Sequence, residues 1–141
     1  MSLRGAPGRA GPPYLLDTHI WFWFLLESRR LPTGLRTALD VAADELWLSP
    51  VSVWELALLH ERSRVRLANG PRAWVDDALQ RLPLKEAPLI REVALISQEI
   101  ALSHRDPADR FLAATALVYE LTLVTVDRRL TGASWLSTRS G

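Results

Sequence analysis

The sequence predicts an α/β domain in which helices cover both faces of a parallel sheet. Short apolar runs of strand length alternate with longer segments whose apolar residues recur at helical intervals, and this alternation is typical of βαβ units. Two polar residues followed by proline, Ser49-Pro50 and Asp106-Pro107, mark helix starts, because a polar N-cap and a proline both suit the first turn of a helix. At 141 residues without an internal repeat, the chain fits a single domain.

Five short apolar runs predict the strands, at residues 14–17, 45–48, 84–87, 122–126 and 134–136. The fourth run is the clearest, since it consists of leucine and β-branched residues alone. The last run is short and would close one edge of the sheet. Strands joined by helical connections pair in parallel, so we expect a central parallel sheet of four to five strands.

Helical periodicity predicts six helices, at residues 18–26, 35–42, 50–64, 74–82, 90–102 and 107–119. The first is apolar nearly all round, which fits a buried helix or one that faces a partner subunit. Pro32 and Gly34 separate it from the second, and Asn69, Gly70 and Pro71 separate the third from the fourth.

Composition excludes several classes of protein. The chain has no cysteine, which excludes a disulfide framework, a thiol nucleophile and a thiolate metal site. It has no apolar run of membrane-spanning length, and residues 1–13, rich in Gly, Pro and Arg, predict a flexible leader without the apolar core of a signal peptide. We therefore expect a cytoplasmic protein with residues 14–141 as its one domain. The net charge of +1 gives no overall attraction to a polyanion, so local patches would have to bind one.

Acidic residues stand beside or inside apolar runs at five places, which are Asp17, Glu55, Asp106, Asp109 and Asp127. An isolated carboxylate in apolar surroundings is costly unless it is paired, protonated or bound to a cation. Asp17 and Asp127 end predicted strands, and ligands of open parallel sheets bind outside the carboxyl ends of the strands. Asp106 and Asp109 open one helix at a spacing that puts them on the same face. The sequence therefore predicts that the acids meet and share a metal ion.

Four of these acids also have an ordinary structural explanation. Asp17 and Asp106 fit as helix N-caps. Asp109 fits the first turn of a helix, where the helix dipole favours an acid, and Asp127 fits a turn. Glu55 has no such explanation, because its neighbours one helical turn away are mostly apolar.

Carboxylates without thiols are the ligands that hard divalent ions such as Mg²⁺ and Mn²⁺ prefer. Such an ion can ionise a water, contact a phosphate oxygen and stabilise a leaving oxyanion, and phosphodiester hydrolysis is the natural use. Arginine and histidine near the acids fit a phosphate backbone, and threonines beside two of the carboxylates fit as hydrogen-bond donors. The candidate residues on the substrate side are Thr18, His19, Arg105, Arg110, Thr125 and Arg128.

Four segments carry a family resemblance when they are taken together and in this order. They are Leu15-Leu16-Asp17-Thr18-His19, Ser49-Pro50-Val51-Ser52-Val53-Trp54-Glu55-Leu56, His104-Arg105-Asp106-Pro107-Ala108-Asp109-Arg110 and Leu123-Val124-Thr125-Val126-Asp127. Over about residues 14–137 the chain resembles PIN-domain proteins, and in particular the VapC toxins of bacterial toxin–antitoxin pairs.

The resemblance implies a PIN-like three-layer sandwich, with a central parallel sheet of four to five strands covered by helices on both faces. It implies the toxin of a toxin–antitoxin pair, a Mg²⁺- or Mn²⁺-dependent endoribonuclease that hydrolyses RNA with a metal-activated water and leaves a 5′-phosphate and a 3′-hydroxyl. Asp17, Glu55 and Asp109 would be the principal metal-site acids. Asp127 would be the more variable fourth, and Asp106 a frequent companion. The family also implies a homodimer and a cognate antitoxin protein that blocks the site, often through a basic side chain.

Two other functions fit part of the pattern. A non-catalytic PIN-fold protein would bind RNA or serve as a scaffold, keeping the core without affinity for metal. A phosphoryl-transfer enzyme of the haloacid-dehalogenase or receiver type also clusters acids at strand ends. The first of these enzymes wants a second aspartate two positions after Asp17, where His19 stands, and both want a lysine near the site, whereas Lys85 is far from any acid motif.

Overall fold

A five-stranded parallel sheet forms the centre of the protein, in a computed structural model that describes residues 9–141. Residues 1–8 of the predicted leader lie outside the described residues. The strands are β1 Tyr14–Leu16, β2 Leu46–Leu48, β3 Lys85–Glu86, β4 Thr122–Val124 and β5 Thr138–Arg139, in the sheet order β3-β2-β1-β4-β5. Leu15 of β1 is in parallel register with Trp47 on one side and Leu123 on the other. The predicted parallel sheet is confirmed.

Seven α-helices cover these strands within the described residues. They are α1 Thr18–Leu25, α2 Thr33–Val41, α3 Pro50–Glu61, α4 Gly70–Arg81, α5 Arg91–Glu99, α6 Pro107–Val118 and α7 Arg128–Thr131. The Ser49 hydroxyl accepts a hydrogen bond from the Val51 N–H at 3.0 Å, and the Asp106 carboxylate accepts one from the Ala108 N–H at 3.0 Å. Both polar-then-proline sequences therefore begin helices, as predicted.

Alternate residues of the strands face opposite layers, and each layer has its own apolar core. Leu16 of β1 and Val124 of β4 pack with α1, α2, α3 and α4, around fully buried side chains such as Trp21. Leu15 and Leu123 lie on the other face and pack against α6 and α7. Because both faces of the sheet are covered, the three-layer prediction is confirmed.

The last strand begins later than the sequence predicts, so the prediction of a strand at 134–136 is wrong. Leu136 lies in a turn, where its N–H donates to the carbonyl oxygen of Ala133 at 3.0 Å, and its side chain is buried in the same core as α6. The strand that pairs with β4 is β5, at Thr138–Arg139. The apolar character of Leu136 reflects burial of a side chain from a turn and not strand geometry.

Residues 9–13 lie along the outer side of β5 and the start of β4. The Ala10 N–H donates to the carbonyl oxygen of Thr138 at 3.1 Å, and Arg9 forms an isolated antiparallel bridge with Arg139. The Thr122 hydroxyl donates to a carbonyl oxygen of this segment at 2.6 Å. In the part of the chain that the structure describes, no helix is both long and apolar enough to cross a membrane.

Candidate active site

The carboxyl ends of β1 and β4 bring two of the predicted acids to one edge of the sheet. Asp17 directly follows β1, and its N–H donates to the carbonyl oxygen of Val124, the last residue of β4, at 3.0 Å. Asp127 follows β4 and caps α7, where it accepts a hydrogen bond from the Arg129 N–H at 2.9 Å. Ligands bind at this edge of an open parallel sheet, so both acids lie where a ligand can reach them.

Neutral donors hold Asp17 in place. One carboxylate oxygen accepts from the Thr18 N–H at 2.7 Å, and the other accepts from the Thr125 hydroxyl at 2.7 Å. The Thr18 hydroxyl donates in turn to the Ser52 hydroxyl of α3 at 3.1 Å, and these three side chains are fully buried. Burial raises the pKa of Asp17, and the hydrogen bond from Thr125 opposes that rise.

This arrangement corrects the expectation that Thr18 and Thr125 contact substrate. Both side chains are buried and lie behind Asp17, and each hydroxyl already donates to another group of the protein. The Thr125 hydroxyl orients the Asp17 carboxylate, as does the Thr18 N–H, whereas the Thr18 hydroxyl contacts Ser52. The sequence shows that the two threonines neighbour Asp17 and Asp127 but does not show in which direction they point.

A second buried carboxylate is Asp109 in the first turn of α6, whose side chain is 11% exposed. Its Oδ2 atom lies 3.0 Å from His104 Nε2 and 3.5 Å from Arg129 Nη2. Burial, together with the charges of Asp106 and Asp17, raises the pKa of Asp109 to about 6. Burial and the surrounding negative charge therefore raise the pKa of Asp109 by more than its hydrogen bond with His104 lowers it.

Glu55 and Asp106 approach the same place from two helices. Glu55, in α3, is half-buried, and its pKa is raised by burial and then by the charges of Asp17 and Asp106. Asp106 is exposed and caps α6, yet its charge also raises the pKa of Asp109. Because such coupling falls off with distance, these four acids lie in one neighbourhood.

Asp127 differs from the other acids because an arginine neutralises it. Arg129 donates to both carboxylate oxygens of Asp127, from Nη2 at 2.8 Å and from Nε at 3.2 Å. These hydrogen bonds hold the pKa of Asp127 below its usual value. The sequence analysis did not predict this pair. An aspartate that caps a helix, followed two residues later by an arginine, is the signal that indicates it.

The set of donors, all of them carboxylates, fits a hard divalent cation. Within residues 9–141, no three acidic or histidine side chains are close enough to hold an ion as they stand. Burial is the main cause of the raised pKa values of Asp17, Glu55 and Asp109, and the charges of neighbouring acids add to it. Oxygen ligands with excess negative charge suit Mg²⁺ and Mn²⁺.

Three of the predicted cationic residues are exposed on the surface, and they are His19, Arg105 and Arg128. The charge of His19 lowers the pKa of Asp17 and of Glu55, which places its ring near both acids. Arg105 and Arg128 form no salt bridge with any described residue. Both guanidinium groups are therefore exposed and without an ion pair among the described residues.

Arg110 has a different position from the one that the sequence predicts. Its guanidinium donates to the carbonyl oxygens of Ser97 at 2.8 Å and Ile100 at 3.0 Å, and so holds the end of α5 and the following loop onto α6. The carbonyl oxygen of His104, on that loop, also accepts from Arg110 at 3.4 Å. The expected contact with substrate is therefore replaced by a structural role, which includes placing the histidine that contacts Asp109.

A profile described as the PIN domain matches residues 14–136 of the chain. The chain belongs to the PIN-domain family. This PIN domain is 35% identical over 117 residues to Ribonuclease VapC22 of Mycobacterium tuberculosis, and the alignment covers 82% of the chain and 88% of that protein. The resemblance that the four sequence segments indicate is confirmed.

Solved structures share the PIN fold of this chain. VapBC2 from Rickettsia felis, bound to a promoter DNA fragment, superposes with a TM-score of 0.66 at 18% identity, over 89% of this chain and 96% of that one. FitAcB from Neisseria gonorrhoeae superposes with a TM-score of 0.63 at 25% identity, over 90% and 96%. A toxin-antitoxin complex from Klebsiella pneumoniae superposes with a TM-score of 0.63 at 19% identity, over 89% and 96%. The predicted PIN-like fold is confirmed.

Proposed function

We propose that this PIN domain is the toxin of a toxin–antitoxin pair and cleaves RNA as a metal-dependent endoribonuclease. The observation that supports the proposal is that Asp17 and Asp127 follow the carboxyl ends of neighbouring strands, and that Arg129 joins Asp127 to Asp109. Burial and neighbouring acids also raise the pKa of Asp17, Glu55 and Asp109. Buried acids that repel one another are costly in the folded protein, so their presence favours a bound cation. The identity of 35% to Ribonuclease VapC22 supports RNA as the substrate.

The residues that would hold a divalent ion, Mg²⁺ or Mn²⁺, are Asp17, Glu55 and Asp109, with Asp106 and Asp127 at the border of the site. When bound, such an ion supplies Lewis-acid chemistry, because it favours the ionisation of a water and offsets negative charge at the phosphate. The chain itself contributes a fixed carboxylate, since Asp17 accepts hydrogen bonds from the Thr18 N–H and from the buried Thr125 hydroxyl. Carboxylates held in this way lose little freedom when an ion binds.

RNA must approach an acidic site, and exposed cations at its border would make that approach favourable. His19, Arg105 and Arg128 are exposed and would bind phosphates on either side of the scissile bond. If water adds to the scissile phosphorus and the P–O3′ bond breaks, the 3′ oxygen leaves as a hydroxyl after gaining a proton, and the phosphate stays on the 5′ oxygen of the other fragment. Arg110 is left out of this set because its guanidinium is committed to backbone carbonyl oxygens.

The partner in this proposal is a cognate antitoxin protein that covers the acids. The negative charges of Asp17 and Asp106, which add to burial in raising the pKa of Asp109 and Glu55, would attract a basic side chain of the antitoxin. A side chain in that place would exclude both metal and RNA. The protein would meet its antitoxin and its substrate in the cytoplasm.

An exposed apolar surface beside the site supports a homodimer. Trp54 is 53% exposed and Leu89 is 45% exposed, and with Pro107 and Phe111 they line a cavity of about 330 Å³. Apolar surface of this kind is favoured where another protein covers it. Leu89→Arg should convert a dimer to a monomer in size-exclusion chromatography with light scattering. Val41→Arg, at another exposed apolar residue, is the control and should not.

The decisive test compares Asp17→Asn with Asp40→Asn, a change at an exposed acid on α2. Each purified protein is incubated with single-stranded RNA and Mn²⁺, and folding is checked by circular dichroism. We expect Asp17→Asn to lower the cleavage rate by about a hundredfold or more with the fold intact, and Asp40→Asn to cleave like the wild type. Cleavage at the wild-type rate by folded Asp17→Asn would contradict the proposal. RNA binding by the wild type without cleavage or Mn²⁺ uptake would favour the non-catalytic alternative.

A further inference from the structure

Arg129 occupies the space between two of the acids that border the site. Its Nη2 atom lies 2.8 Å from Asp127 Oδ2 and 3.5 Å from Asp109 Oδ2. Its Nε atom lies 3.2 Å from Asp127 Oδ1. Asp127 follows β4 and Asp109 belongs to α6, so a single guanidinium joins carboxylates from two elements. Its positive charge offsets their repulsion as a bound cation would.

Asp17 and Glu55 have no such partner among the described residues, since no arginine or lysine there forms a salt bridge with either acid. Both protein contacts of Asp109 are made to its Oδ2 atom, which leaves Oδ1 for another ligand. An ion that enters the site therefore meets carboxylates without a salt bridge at Asp17 and Glu55 and the Oδ1 atom of Asp109, while both oxygens of Asp127 are already paired with Arg129.

We propose that Arg129 is an internal counter-ion that sets the number of metal ions at this site. With Arg129 in place the protein binds one divalent ion, beside Asp17, Glu55 and Asp109. A second ion binds only after Arg129 leaves Asp127, because both occupy the same carboxylate oxygens. This inference rests on the proposed metal-dependent function and adds to it a residue that controls metal occupancy.

The position of Arg129 allows it to leave without disturbing the fold. Its side chain is 55% exposed, and the helix cap of α7 depends on its backbone N–H, which donates to Asp127 at 2.9 Å. Release of the guanidinium therefore breaks an exposed ion pair and no buried packing. A phosphate group of bound RNA is a suitable new partner for a guanidinium, since it accepts two parallel hydrogen bonds.

Arg128 provides a matched control for Arg129. It is adjacent in sequence, carries the same charge, is exposed, and forms no salt bridge with a described residue. Removing either arginine changes the net charge near the acids by the same amount. Only the removal of Arg129 frees the oxygens of Asp127.

The test is a calorimetric titration of Mn²⁺ into the purified full chain in four forms, which are the wild type, Arg129→Ala, Arg129→Gln and Arg128→Ala. We expect one equivalent of Mn²⁺ for the wild type and for Arg128→Ala. Both Arg129 variants should take up a second equivalent, with a dissociation constant for that ion about tenfold or more below any second event in the wild type. Adding Asp127→Asn to Arg129→Ala should remove the second equivalent.

The inference is overturned if folded Arg129→Ala binds Mn²⁺ with the wild-type number and affinity. It is also overturned if Arg128→Ala gains the same second equivalent, since general electrostatics would then explain the effect. If none of the four folded proteins binds Mn²⁺, the proposed metal-dependent function is overturned along with it. Cleavage by the wild type and its loss in Asp17→Asn test that function without reference to Arg129.

Discussion

The two sides of the acid site are held by different chemistry. On the Asp17 side, the carboxylate accepts hydrogen bonds from the Thr18 N–H and from the buried Thr125 hydroxyl. On the Asp127 side, the carboxylate is held by the charged guanidinium of Arg129. Neutral donors orient a carboxylate and leave its negative charge in place. A guanidinium orients the carboxylate and also neutralises its charge. The Asp17 side thus keeps its charge for a cation, and in this structure the Asp127 side does not.

The pKa shifts follow the same division, although Asp17 and Asp127 both lie past the ends of neighbouring strands. Burial raises the pKa of Asp17. The hydrogen bonds from Arg129 lower the pKa of Asp127. Two aspartates at neighbouring strand ends can therefore have opposite pKa shifts, because the shift depends on burial and on the hydrogen-bond donors around each carboxylate.

Among changes to the groups that hold the two carboxylates, Thr125→Val is expected to have the largest effect on metal binding. It keeps the shape of the side chain and removes its hydrogen bond to Asp17. The carboxylate would then be free to turn. We expect both Mn²⁺ affinity and the rate of RNA cleavage to fall by about 10- to 100-fold, the range for losing a group that orients a metal ligand. Titration calorimetry and an RNA cleavage assay measure the two quantities.

Thr122→Val is the matched control for this change. Thr122 is also buried, but its hydroxyl donates to the carbonyl oxygen of Gly11 at 2.6 Å, at the other end of β4. It should leave Mn²⁺ affinity unchanged, and Thr125→Ser should restore most of the affinity. Equal affinities for Thr122→Val and Thr125→Val would show that the hydrogen bond to Asp17 has no effect on metal binding.

The two sides should also differ in how pH affects stability without metal. The pKa of Asp109 is about 6 in the folded protein against an ordinary value of 3.8. Its contribution to stability is therefore present below about pH 4 and is lost as the pH rises through 6. The raised pKa values of Asp17 and Glu55 act in the same direction. Asp127 has the opposite effect, because its pKa is lowered in the folded protein. Its contribution to the free energy of unfolding is present above pH 3.8 and is lost as the pH falls below that value.

In the presence of EDTA, we therefore expect the free energy of unfolding to fall between pH 5 and pH 7.5, by on the order of 1 to 2 kcal/mol. Thermal unfolding followed by circular dichroism measures the change as a lower Tm. Asp109→Asn should flatten the dependence, and Mn²⁺ at pH 7.5 should restore stability to the wild type. A Tm that rises over this pH range in EDTA would be inconsistent with the raised pKa values.

The smallest effect is expected from Ser52→Ala, which acts on Asp17 only through Thr18. Loss of the buried hydroxyl pair should cost about 1 kcal/mol of stability and reduce Mn²⁺ affinity far less than Thr125→Val does. Ser97→Ala is the control, since Ser97 is buried and its hydroxyl donates to the carbonyl oxygen of Ala94 at 2.6 Å. Equal losses of Mn²⁺ affinity in Ser52→Ala and Thr125→Val would contradict this order. They would show that the hydroxyls of Ser52 and Thr125 are equally important for holding Asp17.

The sequence predicted the positions of the acids better than the directions of the side chains around them. Asp17 ends a strand and Asp109 opens a helix, and in a parallel sheet covered by helices those ends meet at one edge. Thr125 and Arg110 also lie next to acids in sequence, but one points behind Asp17 and the other back to α5. Such directions depend on packing between distant segments, which local sequence does not contain. The contact between Arg129 and Asp127 differs, because the two residues are only two positions apart and local sequence is enough to predict it.

The borders of the sheet bear on how the protein behaves in concentrated solution. Exposed edge strands offer unpaired backbone groups to a strand of another molecule and so promote aggregation. One edge, β3, is only Lys85–Glu86, and both residues are exposed and charged. The other edge, β5, has its backbone partly satisfied by Ala10 and Arg9, which run antiparallel to it. Resistance to strand exchange between molecules therefore depends on this short antiparallel segment as well as on surface charge.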